Sequence, residues 1–184
     1  MTDLVPGDPA SVSSLAGELA RQGEALRERR DTLTRVEARL ADWDGLAAEG
    51  FRATFRTQLR ALDDSAEALS ACGHALQAYV VDLQQAKARA AEAQEFCRRH
   101  GLRLEPDGAV GLPWGSYSVV EAAAYHDRLP EAHRLARTAV EEAEDASRRL
   151  ARRVEGPVHA LTVAGQAALA AVTTATSAAH APPQ

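Results

Sequence analysis

The residue types that could carry out chemistry are scattered along this chain. His126 and His133 lie seven positions apart on either side of Pro130, which is not a spacing at which two imidazoles bind one metal ion. The sequence contains neither a Gly-x-Ser-x-Gly nucleophile motif nor a His-Glu-x-x-His zinc motif. Glu121 and Glu141 are isolated carboxylates without a partner that would adapt them to acid–base catalysis. We therefore expect no enzymatic activity, no metal site and no cofactor.

The two cysteines are not placed for a disulfide bond within the chain. Cys72 and Cys97 fall within one predicted helix, 25 positions apart. At about 1.5 Å per residue the helix separates them by roughly 37 Å, which is far beyond the reach of a disulfide. Cys72 lies on an apolar seam, where we expect it to be a small core residue.

The elements that would position any site are two long segments whose apolar residues recur every seven positions. A short polar break, Asp42-Trp43-Asp44-Gly45, separates the two segments. Repeats of this kind on both sides of a break predict two helices folded into an antiparallel hairpin. The seam residues that we expect to form core or interface packing are Leu15, Leu19, Leu26, Leu33, Phe51, Phe55, Leu62 and Leu69.

Each residue type in the break has a physical task. Gly45 can adopt a positive φ or allow a close backbone approach. Asp42 or Asp44 can accept hydrogen bonds from the amides that open the second helix. Trp43 is the largest apolar side chain available, and it either caps its own hairpin or fills a groove on a partner protein. The sequence leaves both alternatives for Trp43 open.

Capping residues predict the helix boundaries. Asp8 is the expected N-cap of the first helix and Pro9 its first residue, and this helix extends to about residue 41. The second helix is predicted from about Leu46 to His100, ends at Gly101, and is the longest predicted element. Its far end lies beyond the reach of the first helix, so another alanine-rich helix must cover it. The positions to be covered are Ala86, Ala90 and Ala93.

The pattern changes after the second helix. Residues 102–112 alternate apolar and polar types around Pro106-Asp107-Gly108, which predicts a small β-hairpin. Its glycines do not indicate a phosphate-binding loop, because no Lys-Ser or Lys-Thr pair follows them.

Three further helical segments are predicted towards the C-terminus. A short helix covers about Ser118–Arg128, with Ser116 or Ser118 as its cap. Pro130 then restarts a helix to about residue 155, and Gly156-Pro157 breaks or kinks it. The chain after residue 156 carries no charge, but its alanines and threonines favour a small-residue packing helix over a stable membrane span.

Composition places these elements in the all-α class. Aromatic residues make up only 4% of the chain, which favours a thin Leu/Ala seam over a bulky core. The net charge of −5 argues against a nucleic-acid partner. We predict an elongated antiparallel helical hairpin or coiled-coil bundle with a small β-hairpin insertion. The predicted parts are a hairpin at 1–100, the insertion at 101–115, returning helices at 116–180 and a linker-like tail at 181–184.

Two stretches of the chain carry a family resemblance. Trp43-Asp44-Gly45 at a break between two helices resembles the Trp-x-Gly signature of the small helical-hairpin substrates of type VII secretion. Val5-Pro6-Gly7-Asp8-Pro9 and residues 43–51 are similar to the N-terminal secretion-signal domain of actinobacterial polymorphic toxins. The likeness covers residues 1 to about 100, and later residues share only the general style.

The resemblance implies a domain that targets export and docks a partner. The implied partners are a small Trp-x-Gly hairpin protein, a second copy of this chain, and the type VII secretion ATPase. The implied location is the cytoplasm before export and the cell surface or exterior afterwards. The chain would be the N-terminal part of a secreted toxin or a stand-alone substrate. The start of the chain has no basic and apolar signal peptide, so we expect the export route to read folded helices.

Tyr117 and Glu121 resemble the tyrosine-plus-acid export element of type VII substrates. The two residues lie four positions apart and would share one face of a helix. The alternative is an ordinary helix start, with Tyr117 packed against the protein and Glu121 in solvent. A different function is also compatible with the helical pattern, namely a cytoplasmic structural coiled-coil protein or a chaperone-like adaptor.

Overall fold

The protein is described here by a computed structural model that covers residues 4–179, with side chains up to residue 173. Three helices contain most of these residues: α1 (Pro9–Arg39), α2 (Leu46–Arg99) and α3 (Val119–Ala179). Between α2 and α3, strands β1 (Arg103–Leu104) and β2 (Val110–Gly111) form an antiparallel pair. The predicted all-α class with a small β-hairpin insertion is confirmed.

The start of α1 follows from its capping residue. The carboxylate of Asp8 accepts hydrogen bonds from the amides of Ala10 at 3.2 Å and Ser11 at 3.0 Å. These bonds satisfy amides that would otherwise lack a partner in the first turn. The hydrogen bonds from Ser11 also hold the pKa of the Asp8 carboxyl below its usual value. The predicted cap at Asp8, with Pro9 as the first helical residue, is confirmed.

The end of α2 is set by Gly101, which has a φ of 67°. The amide of Leu102 donates to the Cys97 carbonyl at 2.8 Å, and the Gly101 amide donates to the Arg98 carbonyl at 3.3 Å. This pair of bonds is a Schellman motif, which needs a left-handed residue and favours glycine. Leu102 and Cys97 are both buried, so an apolar contact accompanies the cap. The predicted unbroken helix up to Gly101 is confirmed.

The β-hairpin closes through a tight turn at its tip. The Glu105 amide donates to the Ala109 carbonyl at 2.8 Å, and the Gly108 amide donates to the Glu105 carbonyl at 3.1 Å. Gly108 has a φ of 85°, a conformation that favours glycine. The strands pair Arg103 with Gly111 and Leu104 with Val110, as an antiparallel register requires.

The C-terminal part of the chain differs from the sequence prediction. Helix α3 is continuous over 61 residues, through both Pro130 and Gly156-Pro157, and it is therefore longer than α2 with 54 residues. An internal proline removes one backbone donor and costs about 3 kcal/mol. Near Pro130 that cost is offset by tertiary packing, because Ala132 and Ala136 in the next two turns are fully buried. The separate helices predicted on either side of the prolines are wrong.

The described chain forms two compact units. Among the described residues, unit 1 contains 4–13 and Gln77–Ala151, and unit 2 contains Ser14–Leu76 and 152–179. The predicted parts at 1–100, 101–115 and 116–180 follow the order of the chain and stay a prediction. The predicted linker at 181–184 lies outside the described residues.

The core of unit 1 confirms how the far end of α2 is covered. Ala86 and Ala93 of α2 have no exposed surface, and they belong to one buried cluster with Ala132, Ala136 and Ala139 of α3. Alanine on both helices allows their axes to approach closely. The other members of this cluster are Leu4, Val5, Leu83, Ala90, Cys97, Leu102 and Val110.

Candidate functional site

In unit 2, helices α1 and α2 meet through small residues. A Cβ atom added to Gly73 would lie 3.2 Å from the carbonyl oxygen of Ala16, and one added to Gly23 would lie 3.2 Å from the carbonyl oxygen of Ala66. Ala16 and Gly23 are the buried residues of α1. The two backbones therefore approach each other at glycine positions, where no larger side chain fits without displacement.

The glycine contact determines where the predicted leucine seam lies around α1 relative to the face that meets α2. At 100° per residue, Leu15, Leu19, Leu26 and Leu33 lie roughly 50–90° around α1 from the direction of Ala16 and Gly23. Leu15 is accordingly 51% exposed, and the other three leucines are half-buried. On α2, Phe55 is buried, whereas Phe51, Leu62 and Leu69 are half-buried. The leucines are not the centre of the core, and interface packing by this seam stays a prediction.

The turn between α1 and α2 is closed by an arginine. Gly45 has a φ of 103°, and no atom lies within 4 Å of the place where its Cβ would be, so backbone conformation favours glycine here. The guanidinium of Arg52 donates to the Ala41 carbonyl at 3.1 Å and also to the Trp43 carbonyl. These bonds attach the second turn of α2 to residues 41–43 of the connection between the helices.

The predicted capping of α2 by an aspartate is wrong. Among the hydrogen bonds of residues 40–52, none joins the carboxylate of Asp42 or Asp44 to an amide of the first turn. The backbone instead begins the helix, with the Glu49 amide donating to the Gly45 carbonyl at 3.1 Å. Both aspartates are exposed.

Trp43 packs against its own hairpin and also remains partly exposed, so it has features of both a cap on that hairpin and a contact for a partner. Its ring packs on Phe51, with ring centroids 5.5 Å apart, and Phe51 stacks on the buried Phe55 at 5.2 Å. The tryptophan is nevertheless 42% exposed. The aromatic row therefore extends from the core of unit 2 to its surface, and Trp43 presents part of its ring to solvent.

Exposed apolar residues close to Trp43 along the chain define a candidate docking surface. Val36 lies in the last turn of α1, Leu40 directly follows the end of that helix, and Leu46 opens α2 with 89% of its surface exposed. We call Val36, Leu40, Trp43 and Leu46 the corner surface. Arg35 and Arg39 border it on α1 and are themselves exposed. Grouped exposed apolar residues with charged neighbours are typical of protein-binding surfaces.

Tyr117 and Glu121 have separate structural tasks. Tyr117 precedes Ser118, the N-cap of α3, and therefore lies outside the helix, so the predicted shared helix face is wrong. Glu121 accepts hydrogen bonds from the amide and the hydroxyl of Ser118, both at 2.8 Å, and the Ser118 hydroxyl accepts one from the Glu121 amide at 3.3 Å. This reciprocal arrangement is a capping box. The predicted cap at Ser118 is confirmed.

The surroundings of the two side chains also differ. The backbone and side-chain donors of Ser118 lower the pKa of the Glu121 carboxyl, which is solvent-exposed. The Tyr117 hydroxyl donates to the Pro113 carbonyl at 2.8 Å, and its half-buried ring meets Tyr125 edge-on at 5.6 Å. Tyr117 directly precedes the cap of α3 and Glu121 lies in its first turn, and their role as an export element stays a prediction.

The sequence analysis missed a second apolar surface, which lies in unit 1. Trp114 is 86% exposed, and Val119 and Val120 in the first turn of α3 are also largely exposed. The guanidinium of Arg103 lies 3.9 Å from the centre of the Trp114 ring, in a cation–π contact. Two adjacent valines directly after a capping serine were the available signal, because only one of two neighbours can face the core at a helix start.

Two other features, a metal site and a membrane-spanning helix, are absent from the described residues. Along residues 4–179, no three histidine, cysteine or carboxylate side chains are grouped as a metal site would require. No helix in the same range has the length and apolarity needed to cross a membrane.

Comparison with known proteins identifies one family. The model of the T7SS secretion signal domain family matches residues 1–183, which is nearly the whole sequence. Comparison with curated proteins and with solved structures gave no significant match.

Proposed function

The chain belongs to the T7SS secretion signal domain family, which supports a role in type VII secretion targeting, and we propose that it performs this role by docking a helical partner on the corner surface. The observation that carries this proposal is the exposed aromatic row at the turn of unit 2. Trp43 packs on Phe51, which stacks on the buried Phe55, so the ring of Trp43 is positioned before any partner arrives. A preorganised aromatic side chain loses little entropy on binding and is a common anchor of interfaces.

The chemistry of the corner surface indicates what the partner presents. Leu46 and Val36 require an apolar helix face, which the seam of a small Trp-x-Gly hairpin protein supplies. Arg35 and Arg39 favour an acidic border on that partner, since opposite charges steer association. Asp42 and Asp44, which flank Trp43, are exposed as well, so the corner surface presents charges of both signs. We propose a heterodimer because the resemblance of this chain to type VII substrates implies a small Trp-x-Gly partner, and a complex of two copies of this chain would contradict that choice.

The remaining parts of the proposal concern the wider pathway. The docked pair would be read by the type VII secretion ATPase and exported to the cell surface or exterior. A toxic domain following this chain would be the passenger, as in the polymorphic toxins that it resembles. The chain itself would bind and target, without a catalytic role.

A binding experiment with a matched control tests the docking surface. Val36→Glu places a charge in the corner surface, and Val81→Glu makes the same change at a similarly exposed valine of α2 in unit 1. We expect the wild-type chain and the Val81 variant to form a 1:1 complex with a small Trp-x-Gly protein, measured by light scattering after size exclusion. The Val36 variant should stay unbound while keeping its helical circular dichroism. Equal binding by both variants would contradict docking at the corner surface.

An export experiment separates targeting from the cytoplasmic alternative. The full chain, expressed in a host with an active type VII system, should appear in the medium or on the cell surface. Deletion of the secretion ATPase should retain it in the cytoplasm. A structural coiled-coil protein or a chaperone-like adaptor would stay in the cytoplasm in both strains.

A further inference from the structure

The residues before α1 are part of the core of unit 1. Val5 has no exposed surface and Leu4 is nearly as buried, and both belong to the cluster that includes Leu83 and Ala86 of α2. The ammonium group of Lys87 donates to the Val5 carbonyl at 2.7 Å. A segment without secondary structure seldom contributes fully buried side chains, because its backbone groups then need partners. Here Lys87 provides one of those partners.

This segment joins three elements of unit 1. A Cβ atom added to Gly7, whose φ is 108°, would lie 3.5 Å from a methyl carbon of Leu83 in α2. A Cβ atom added to Gly108, at the tip of the β-hairpin, would lie 3.6 Å from a methyl carbon of Leu4 and 3.2 Å from one of Val140 in α3. Leu4–Gly7 therefore contacts α2 and lies beside the place where the hairpin tip meets α3.

The groove occupied by this segment continues beyond it. An open cavity of about 460 Å³ is lined by Leu4, Pro6, Tyr79, Leu83 and Val140. Removal of the Leu4 side chain would enlarge this cavity and expose apolar surface of α2 and α3 to water. Exposed apolar surface of this kind weakens the packing of the elements around it.

We propose that Leu4–Gly7 is a strap that holds unit 1 closed, and that its release opens unit 1 while unit 2 stays folded. Local opening of one compact unit is a common behaviour of proteins, since each unit is stabilised mainly by its own buried contacts. At its C-terminal end the strap continues into α1, whose first turn is capped by Asp8. The strap and its contacts are all in unit 1, so the proposal does not depend on docking at the corner surface of unit 2.

The two native cysteines report separately on the two units. Cys97 is buried in the same cluster as Val5, and Cys72 is buried in unit 2. Burial raises the pKa of both thiols, which further slows their reaction in the closed state. A thiol reagent therefore labels each cysteine mainly when its own unit opens.

The test compares two full-length variants with the wild-type chain. Val5→Asp places a charge at the buried end of the strap, and Val81→Asp places the same charge at an exposed position of α2 in unit 1. Labelling with iodoacetamide, followed by mass spectrometry of the two cysteine peptides, gives a rate for each unit. We expect Val5→Asp to raise the Cys97 rate at least about tenfold, the factor expected for losing the burial of one valine. The Cys72 rate should change by less than about twofold, and Val81→Asp should change neither rate.

Two outcomes would overturn the proposal. An equal rise at both cysteines would show that the strap stabilises the whole chain, and no rise at Cys97 would show that the strap does not hold unit 1. If Val5→Asp does not fold, the milder variant Val5→Ala replaces it. The ratio of the Cys97 labelling rate to the Cys72 labelling rate is then compared with that of the wild-type chain. Lys87→Met, which removes the hydrogen bond to the Val5 carbonyl, should change that ratio in the same direction.

Discussion

Gly73 lies at the place where the backbones of α1 and α2 come closest, and its replacement by alanine tests the packing of unit 2. In a helix interior, Gly→Ala normally stabilises by about 1 kcal/mol, because alanine loses less backbone entropy on folding. At Gly73 the new methyl group would lie 3.2 Å from the Ala16 carbonyl oxygen and 3.7 Å from the Ala20 amide nitrogen. Both are backbone atoms of α1, so the helix itself must move. Overpacking of this kind costs about 1–3 kcal/mol, and we expect a net loss of about 0–2 kcal/mol.

Gly50 provides a matched control in the same helix. It is exposed, and no atom lies within 4 Å of the place where its Cβ would be. Gly50→Ala should therefore show the full gain of about 1 kcal/mol. Urea unfolding followed by circular dichroism gives both free energies, provided that the slopes of the transitions agree. Equal stabilisation by both substitutions would refute the close helix contact, and with it the reason why the leucine seam is displaced.

Three further predictions concern the turn and the start of α3. Trp43→Ala should lower the free energy of unfolding by about 2 kcal/mol, roughly half the cost for a fully buried aromatic, because its ring is 42% exposed; thermal melts check this value. The pKa of the Glu121 carboxyl is lowered in the folded state. The carboxylate therefore stabilises the fold above its unfolded pKa near 4.5, and this stabilisation is lost as the pH falls through the lower pKa of the folded state. Melting temperatures of wild type and Glu121→Gln should therefore differ at pH 7 and converge at acidic pH. Ser118→Ala and Glu121→Ala both break the capping box, so we expect the two variants to have equal helicity. Export of the Ser118 variant but not of the Glu121 variant would identify Glu121 as part of an export signal. Equal export of both variants would exclude that role.

Local features of this fold could be predicted from the sequence because they depend on neighbouring residues. Asp8 and Ser118 cap helices through side chains that reach only two or three positions along the chain. Gly101 and Gly108 mark a helix end and a hairpin tip because few other residues adopt a positive φ. The same kind of reasoning failed at Asp42 and Asp44, where the helix begins with a backbone hydrogen bond from the Glu49 amide to the Gly45 carbonyl and without an aspartate cap.

The candidate site was predicted only in outline. The sequence singled out Trp43 and the leucine seam, but a seven-residue repeat does not say which side of a helix its partner occupies. Trp114 was not predicted to form a surface, because nothing in its local sequence indicates that it stays 86% exposed with Arg103 against its ring. The buried position of Val5 was likewise unpredicted, since nothing local requires an extended segment to enter a core.

What the sequence by itself determined is the helical class, the positions of caps and turns, and the Trp-x-Gly corner. What only the tertiary structure decided is which faces meet. The glycine contact at Gly23 and Gly73 turns the leucines of α1 aside, because two backbones at this distance leave no room for larger side chains between them. The buried alanines after Pro130 keep α3 continuous, because packing across the helix offsets the hydrogen bond that proline removes. Both outcomes depend on residues that are distant in sequence, and no local pattern contains that information.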